Sequence, residues 1–154
     1  MSRVTDLSHA FAGATASNGD INRWDVSRVT DLSFAFAGAE SFNQPLNGWD
    51  VSGVVSLAST FTHAHAFNQP LDRWEVSSLT DLSFAFAGSR AFNQDIGGWD
   101  TANVGAMNSA FNGASAFSQD LSRWNIDRVT DLAIFEQFAW ISGLTRDQVP
   151  APWR

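Results

Sequence analysis

Tryptophan, amide and carboxylate side chains recur at one fixed interval, and that spacing decides what chemistry they can do. Trp24, Trp49, Trp74, Trp99 and Trp124 lie 25 residues apart, with no insertion or deletion between them. A row of indoles could stack on sugar rings, yet each sits at the inward place of an apolar pattern, so a buried core ladder is expected. Asn18, Asn43, Asn68 and Asn93, then Ser118, keep the same interval, as do Gln44, Gln69, Gln94 and Gln119, with Gly19 in the first unit. Amides at one level of a stack are expected to bond to the backbone of the next turn and to satisfy groups otherwise orphaned.

An acidic row, Asp25, Asp50, Glu75 and Asp100, closes on Asn125. Carboxylates so spaced could share a hard cation such as calcium, but one per unit is thin coordination. Arg23, Arg73 and Arg123 stand two positions before members of that row, so a solvated arginine and aspartate ladder is expected, and no metal site. Asp6, Asp31, Asp81 and Asp131, each after a threonine, read as helix caps. His63 and His65 lack a third metal ligand, and His9 lies about two units away, so the histidines read as surface or loop variation. The threonine row Thr5, Thr30, Thr80 and Thr130 is interrupted by Val55 and Gly105, which weakens an ice-binding reading. No Ser-His-Asp set, phosphate loop or paired catalytic carboxylate stands out, so neither an enzyme nor a cofactor is expected.

These side chains need a scaffold that repeats as they do. The same interval carries Phe11, Phe36, Phe61, Phe86 and Phe111, the Val4 and Leu7 rows, and Ile21, Leu46, Leu71, Ile96 and Leu121. Leu46 to Val51 follows Pro45 and ends on a β-branched residue, which predicts a strand. Thr30 to Gly38 opens on capping residues, is alanine-rich and ends on glycine, which predicts a short helical segment. One strand and one helical segment per unit predict an α/β repeat solenoid over residues 1–134, its strands forming a parallel sheet with about 4.8 Å between units. After residue 134 the pattern breaks: Phe135, Phe138, Ala139 and Ile141 predict an amphipathic helix, and Thr145 to Gln148 a capping box, giving a helical cap over 135–154.

Composition narrows the partners. The 154 residues carry a net charge of −7 with nine scattered Lys and Arg, which disfavours nucleic acid. No apolar run reaches the roughly 20 residues that a membrane-spanning helix needs. With no cysteine there is no disulfide framework. The start, MSRVTDLSHA, shows no signal-peptide pattern and opens in mid-repeat, which predicts an excised or truncated stretch with an uncapped end able to self-associate.

The phrases FNQPLNGWDVSGV, FNQDIGGWDTANV and FSQDLSRWNIDRVTDL resemble the BspA-like surface repeats, also described as a Mycoplasma-type lipoprotein repeat, over residues 4 to about 135. The spacing Leu46, Trp49, Val51 is similar to the strand of leucine-rich repeats with Trp in a Leu place. The resemblance implies extracellular or cell-surface display and adhesion to a protein or glycan on another cell. It supplies no catalytic residue.

Two roles follow. The first is a non-enzymatic interaction module that binds protein or glycan through the exposed strand face, with Arg23, Asp25, Asp50, Arg73, Glu75, Asp100 and Arg123 as its ligand-binding residues. The second is a structural or spacer solenoid, favoured by the identity of LSFAFAG at 32–38 and 82–88. Unit three departs most from its neighbours, through Val55, Ser56, Thr60, Thr62, His63 and His65, and is the place to seek a binding spot off the strand face.

Overall fold

A 25-residue unit can bury its apolar rows only against a neighbour, so its backbone is built to reach the next unit. The computed structural model describes residues 4–130, 138, 140 and 142–153. In them, turns stack in register, and the stretch expected to be helical shows how. From unit two to unit three, the N–H groups of Leu32, Phe34, Phe36 and Gly38 donate to the carbonyls of Ser56, Ala58, Thr60 and Thr62 at 3.2, 2.9, 2.9 and 2.7 Å. The alternate amides, of Ala35, Ala37 and Ala39, donate three residues back, to Leu32, Phe34 and Phe36 at 3.0 to 3.1 Å. A helix would direct every amide back along its own chain and leave none for the next unit. Here half of them tie the stack together.

That path needs left-handed backbone at two places per unit. The first is held by His9, Phe34, Ser59, Phe84 and Ser109, with φ of 52° to 59°; the second by Gly13, Gly38, His63, Gly88 and Gly113. Glycine takes such angles freely, whereas other residues are strained by about 1–2 kcal/mol.

The expected strand is also a pair of turns. Trp49 N–H donates to the Leu46 carbonyl at 3.0 Å and Val54 N–H to the Val51 carbonyl at 2.9 Å, and the same two bonds recur in the other units. The i to i+3 spacing that puts Leu46, Trp49, Val51 and Val54 inward is turn spacing, and all four are buried. The α/β solenoid with a parallel sheet and leucine-rich-repeat architecture is therefore corrected. β-Pairing among the described residues is confined to isolated parallel bridges, Asp6 to Asp31, Asp31 to Ser56, Ser56 to Asp81 and Asp81 to Ala106. These fall one residue per unit, away from the Leu-Trp-Val segment.

The core is a set of side-chain columns. Phe36, Phe61, Phe86 and Phe111 stack at 5.4 to 5.5 Å between ring centroids. A second phenylalanine column, Phe42, Phe67, Phe92 and Phe117, runs beside it at 5.8 to 6.0 Å. Trp74, Trp99 and Trp124 stack at 6.3 Å, and all eight phenylalanines are nearly inaccessible. Burial of an aromatic side chain contributes about 1.5–3 kcal/mol.

Beyond unit five the ladder continues on a shifted register. Phe111 and Gly113 donate to the carbonyls of Phe138 and Trp140, where the 25-residue period would place 135 and 137. Phe138 is buried against Phe111 and Trp153. Thr145 and Gln148 form the capping box on a 3-10 helix, Arg146–Gln148, and a second, Ala151–Trp153, follows Pro150. The amphipathic helix predicted from Phe135, Ala139 and Ile141 lies outside the described residues.

Candidate functional site

The regular polar rows are occupied with holding units together. Four indole N–H groups of the repeat each donate to a carbonyl 28 residues earlier: Trp49 to Ile21, Trp74 to Leu46, Trp99 to Leu71 and Trp124 to Ile96, at 2.9 to 3.1 Å. The tryptophans are core, as their inward spacing predicts. The asparagines are staples. Asn68 Oδ1 accepts the backbone N–H of Asn93 at 3.0 Å and the Gln94 side-chain amide at 2.8 Å, and Asn18, Asn43 and Asn93 do the same for the unit above.

The acidic rows build turns. Asp25, Asp50 and Asp100 each accept the backbone N–H two residues on, as do Asp20, Asp95 and Asp120 in another row. Asp6, Asp31 and Asp81 do likewise, so the predicted helix caps cap turns, no helix following them. Hydrogen bonds from Ser8, Ser27 and Ser52, side chain first and then backbone, hold the Asp6, Asp25 and Asp50 carboxyls below their ordinary value of 3.8. Bonds to the ionised form favour it.

All seven residues assigned to the strand face are exposed. Arg23, Asp25, Asp50, Arg73, Glu75, Asp100 and Arg123 line the outside of turns, since there is no strand there to present them. No ion pair joins this arginine row to the acidic row among the described residues, and serine and backbone donors take the arginines' place. Asn22 and Asn47, on the same face, are staples that accept the backbone N–H of Gly48 and Arg73. Arg123 borders a shallow groove of about 290 Å³ with Asp95, Gly97, Gly98 and Asp120.

A larger groove, about 370 Å³, opens where unit three departs from its neighbours. Thr62, His63, Phe84, Gly88, Arg90 and Asn112 line it. Phe84 is 45 % exposed at φ 57°, and His63 takes φ 55° where other units have glycine. The left-handed backbone at Phe84 belongs to the path common to all units, and the ring it carries there faces solvent. A Cβ on Gly88 would lie 2.4 Å from His63 Nδ1, so the bare glycine makes room for the imidazole. His65 sets its ring edge against His63 at 5.8 Å. Thr62 donates its hydroxyl to the Phe84 carbonyl at 2.7 Å, which fixes the two units relative to one another. Ser56 and Thr60, also singled out in unit three, are structural: Ser56 Oγ accepts the Ala58 N–H and Thr60 donates to the Leu32 carbonyl.

The model of a family described as Mycoplasma protein of unknown function, DUF285, matches residues 1–89 and again 71–140. The chain belongs to this family. No curated protein and no solved structure matches it. The DUF285 match covers the stack of turns and reaches past unit five to the shifted strip that holds Phe138. Among the described residues, no group of three metal-ligating side chains and no helix long and apolar enough to cross a membrane is found.

Sequence spacing did not single out Phe34, Phe84, Arg90 or Asn112 as surface groups in this DUF285 chain. The signal that marks the phenylalanines is the composition of their row: His9, Phe34, Ser59, Phe84 and Ser109 mix aromatic with polar residues, as a core row would not.

Proposed function

We propose that the chain is a non-catalytic binding module of a surface-displayed repeat protein, meeting a protein or glycan through side chains that differ between units. One observation carries this reading. The invariant rows are consumed by the stack, while one groove brings together the exposed ring of Phe84, the guanidinium of Arg90, and His63 where the other units have glycine. The resemblance of the repeat phrases to BspA-like surface proteins supports display and adhesion. The exposed residues Arg23, Asp25, Asp50, Arg73, Glu75, Asp100 and Arg123 offer a second contact surface.

A spacer role is favoured by the identical LSFAFAG segments, yet these are the segments that present Phe34 and Phe84 outward. The two readings separate on an array of glycans and extracellular proteins probed with the full chain. Saturable binding is expected; none to any member at about 100 μM, weaker than most specific protein contacts, overturns the module. Replacement of Arg73 and Glu75 by alanine then reports whether the charged turn face takes part.

A further inference from the structure

We propose that the groove of Thr62, His63, Phe84, Arg90 and Asn112 is a subsite for one carboxylate-bearing sugar residue. The proposal rests on the binding-module reading and names its ligand class. Three features converge. Phe84 offers the face of an exposed ring, on which the C–H side of a pyranose can lie. Arg90, exposed at the rim and in no ion pair among the described residues, presents a planar fork that matches a carboxylate in two hydrogen bonds. The Asn112 amide and the His63 imidazole add polar groups for ring hydroxyls.

Charge sharpens the choice. No lining residue is acidic and one is an arginine, in a chain whose net charge is −7, so the groove favours an anionic ligand. Its 370 Å³ falls in the lower range of small-ligand pockets, roughly 300–1,000 Å³. The fold tolerates other residues at three of these places. Serine holds the Phe84 backbone position in units three and five, glycine the His63 position in units two, four and five, and serine the Arg90 position in unit five.

Those same residues make conservative tests, because each is already tolerated by the stack. Isotope-labelled full chain is titrated with glucuronate, with N-acetylneuraminate and with neutral methyl glucoside, and amide shifts are followed. The shifts should centre on Phe84, Arg90 and Asn112, with an acidic sugar binding about tenfold or more tighter than the glucoside, as a charge-assisted pair provides. Arg90→Ser should erase that preference, Phe84→Ser should weaken acidic and neutral sugars alike, and His63→Gly should weaken both less. No shift at these residues up to about 20 mM acidic sugar, beyond millimolar affinity, overturns the subsite, and so does an undiminished preference in Arg90→Ser. Array binding that survives both serine variants overturns the subsite while leaving the module reading in place.

Discussion

At the scale of single residues, one asparagine joins two units at two points. Asn68 Oδ1 accepts from Asn93 N–H and from the Gln94 amide, and its loss leaves the Asn93 N–H short of a partner in a half-buried setting and the Gln94 amide with the Asn68 backbone carbonyl at 3.2 Å. Asn68→Ala should therefore destabilise the fold by about 1–2 kcal/mol, as unpaired polar groups do. A lowered denaturation midpoint with an unchanged slope is the expected result; an effect below about 0.5 kcal/mol, typical of surface changes, would mean that water replaces the staple. That these amides act inside the fold is legible in the sequence, because an amide repeated at one level has its equivalent above it as a partner. What Phe84 and Arg90 do is not legible there, since outwardness depends on a backbone that alternates left-handed and ladder positions.

At the scale of the turn, aspartate replaces secondary structure. Units one, two, four and five bend where a carboxylate accepts the N–H two residues on, and the serines there, hydroxyl first and then backbone, lower the pKa values of Asp6, Asp25 and Asp50. A carboxyl whose folded value lies below its unfolded one contributes stability that is present above 3.8 and lost as pH falls through the lowered folded value. Stability should thus decline on acidification below the ordinary carboxylate range. Asparagine can accept the same bond, as Asn125 does from Asp127 N–H at 2.8 Å. The triple change Asp6→Asn, Asp25→Asn and Asp50→Asn should flatten the acid limb of a urea-midpoint profile while preserving the fold. An acid limb as steep as that of the parent chain would place the titration elsewhere. The turns themselves escape sequence reading because the inward pattern Leu46, Trp49, Val51 fits a strand and a pair of i to i+3 turns equally well. Thr30 to Gly38 misleads in the same way: caps, alanines and a terminal glycine suit a helix, but the amides of Leu32, Phe34, Phe36 and Gly38 donate to the next unit, a choice that residue types alone do not reveal.

At the scale of the molecule, the stack is held by columns and ladders that run from each unit to its neighbours. Phenylalanine and tryptophan columns fill the interior, asparagine and indole bonds pin the units, and backbone amides alternate between closing a turn and reaching the next one. The period, the inward rows and the capping box at Thr145 follow from residue spacing; the absence of a sheet along the Leu-Trp-Val segment does not. The most direct test is scalar coupling across hydrogen bonds in the isotope-labelled chain. Couplings should connect Phe36 N with the Thr60 carbonyl carbon and Trp49 N with that of Leu46. A coupling from Trp49 N to a carbonyl in unit one or unit three would instead restore the parallel sheet and contradict the stack of turns.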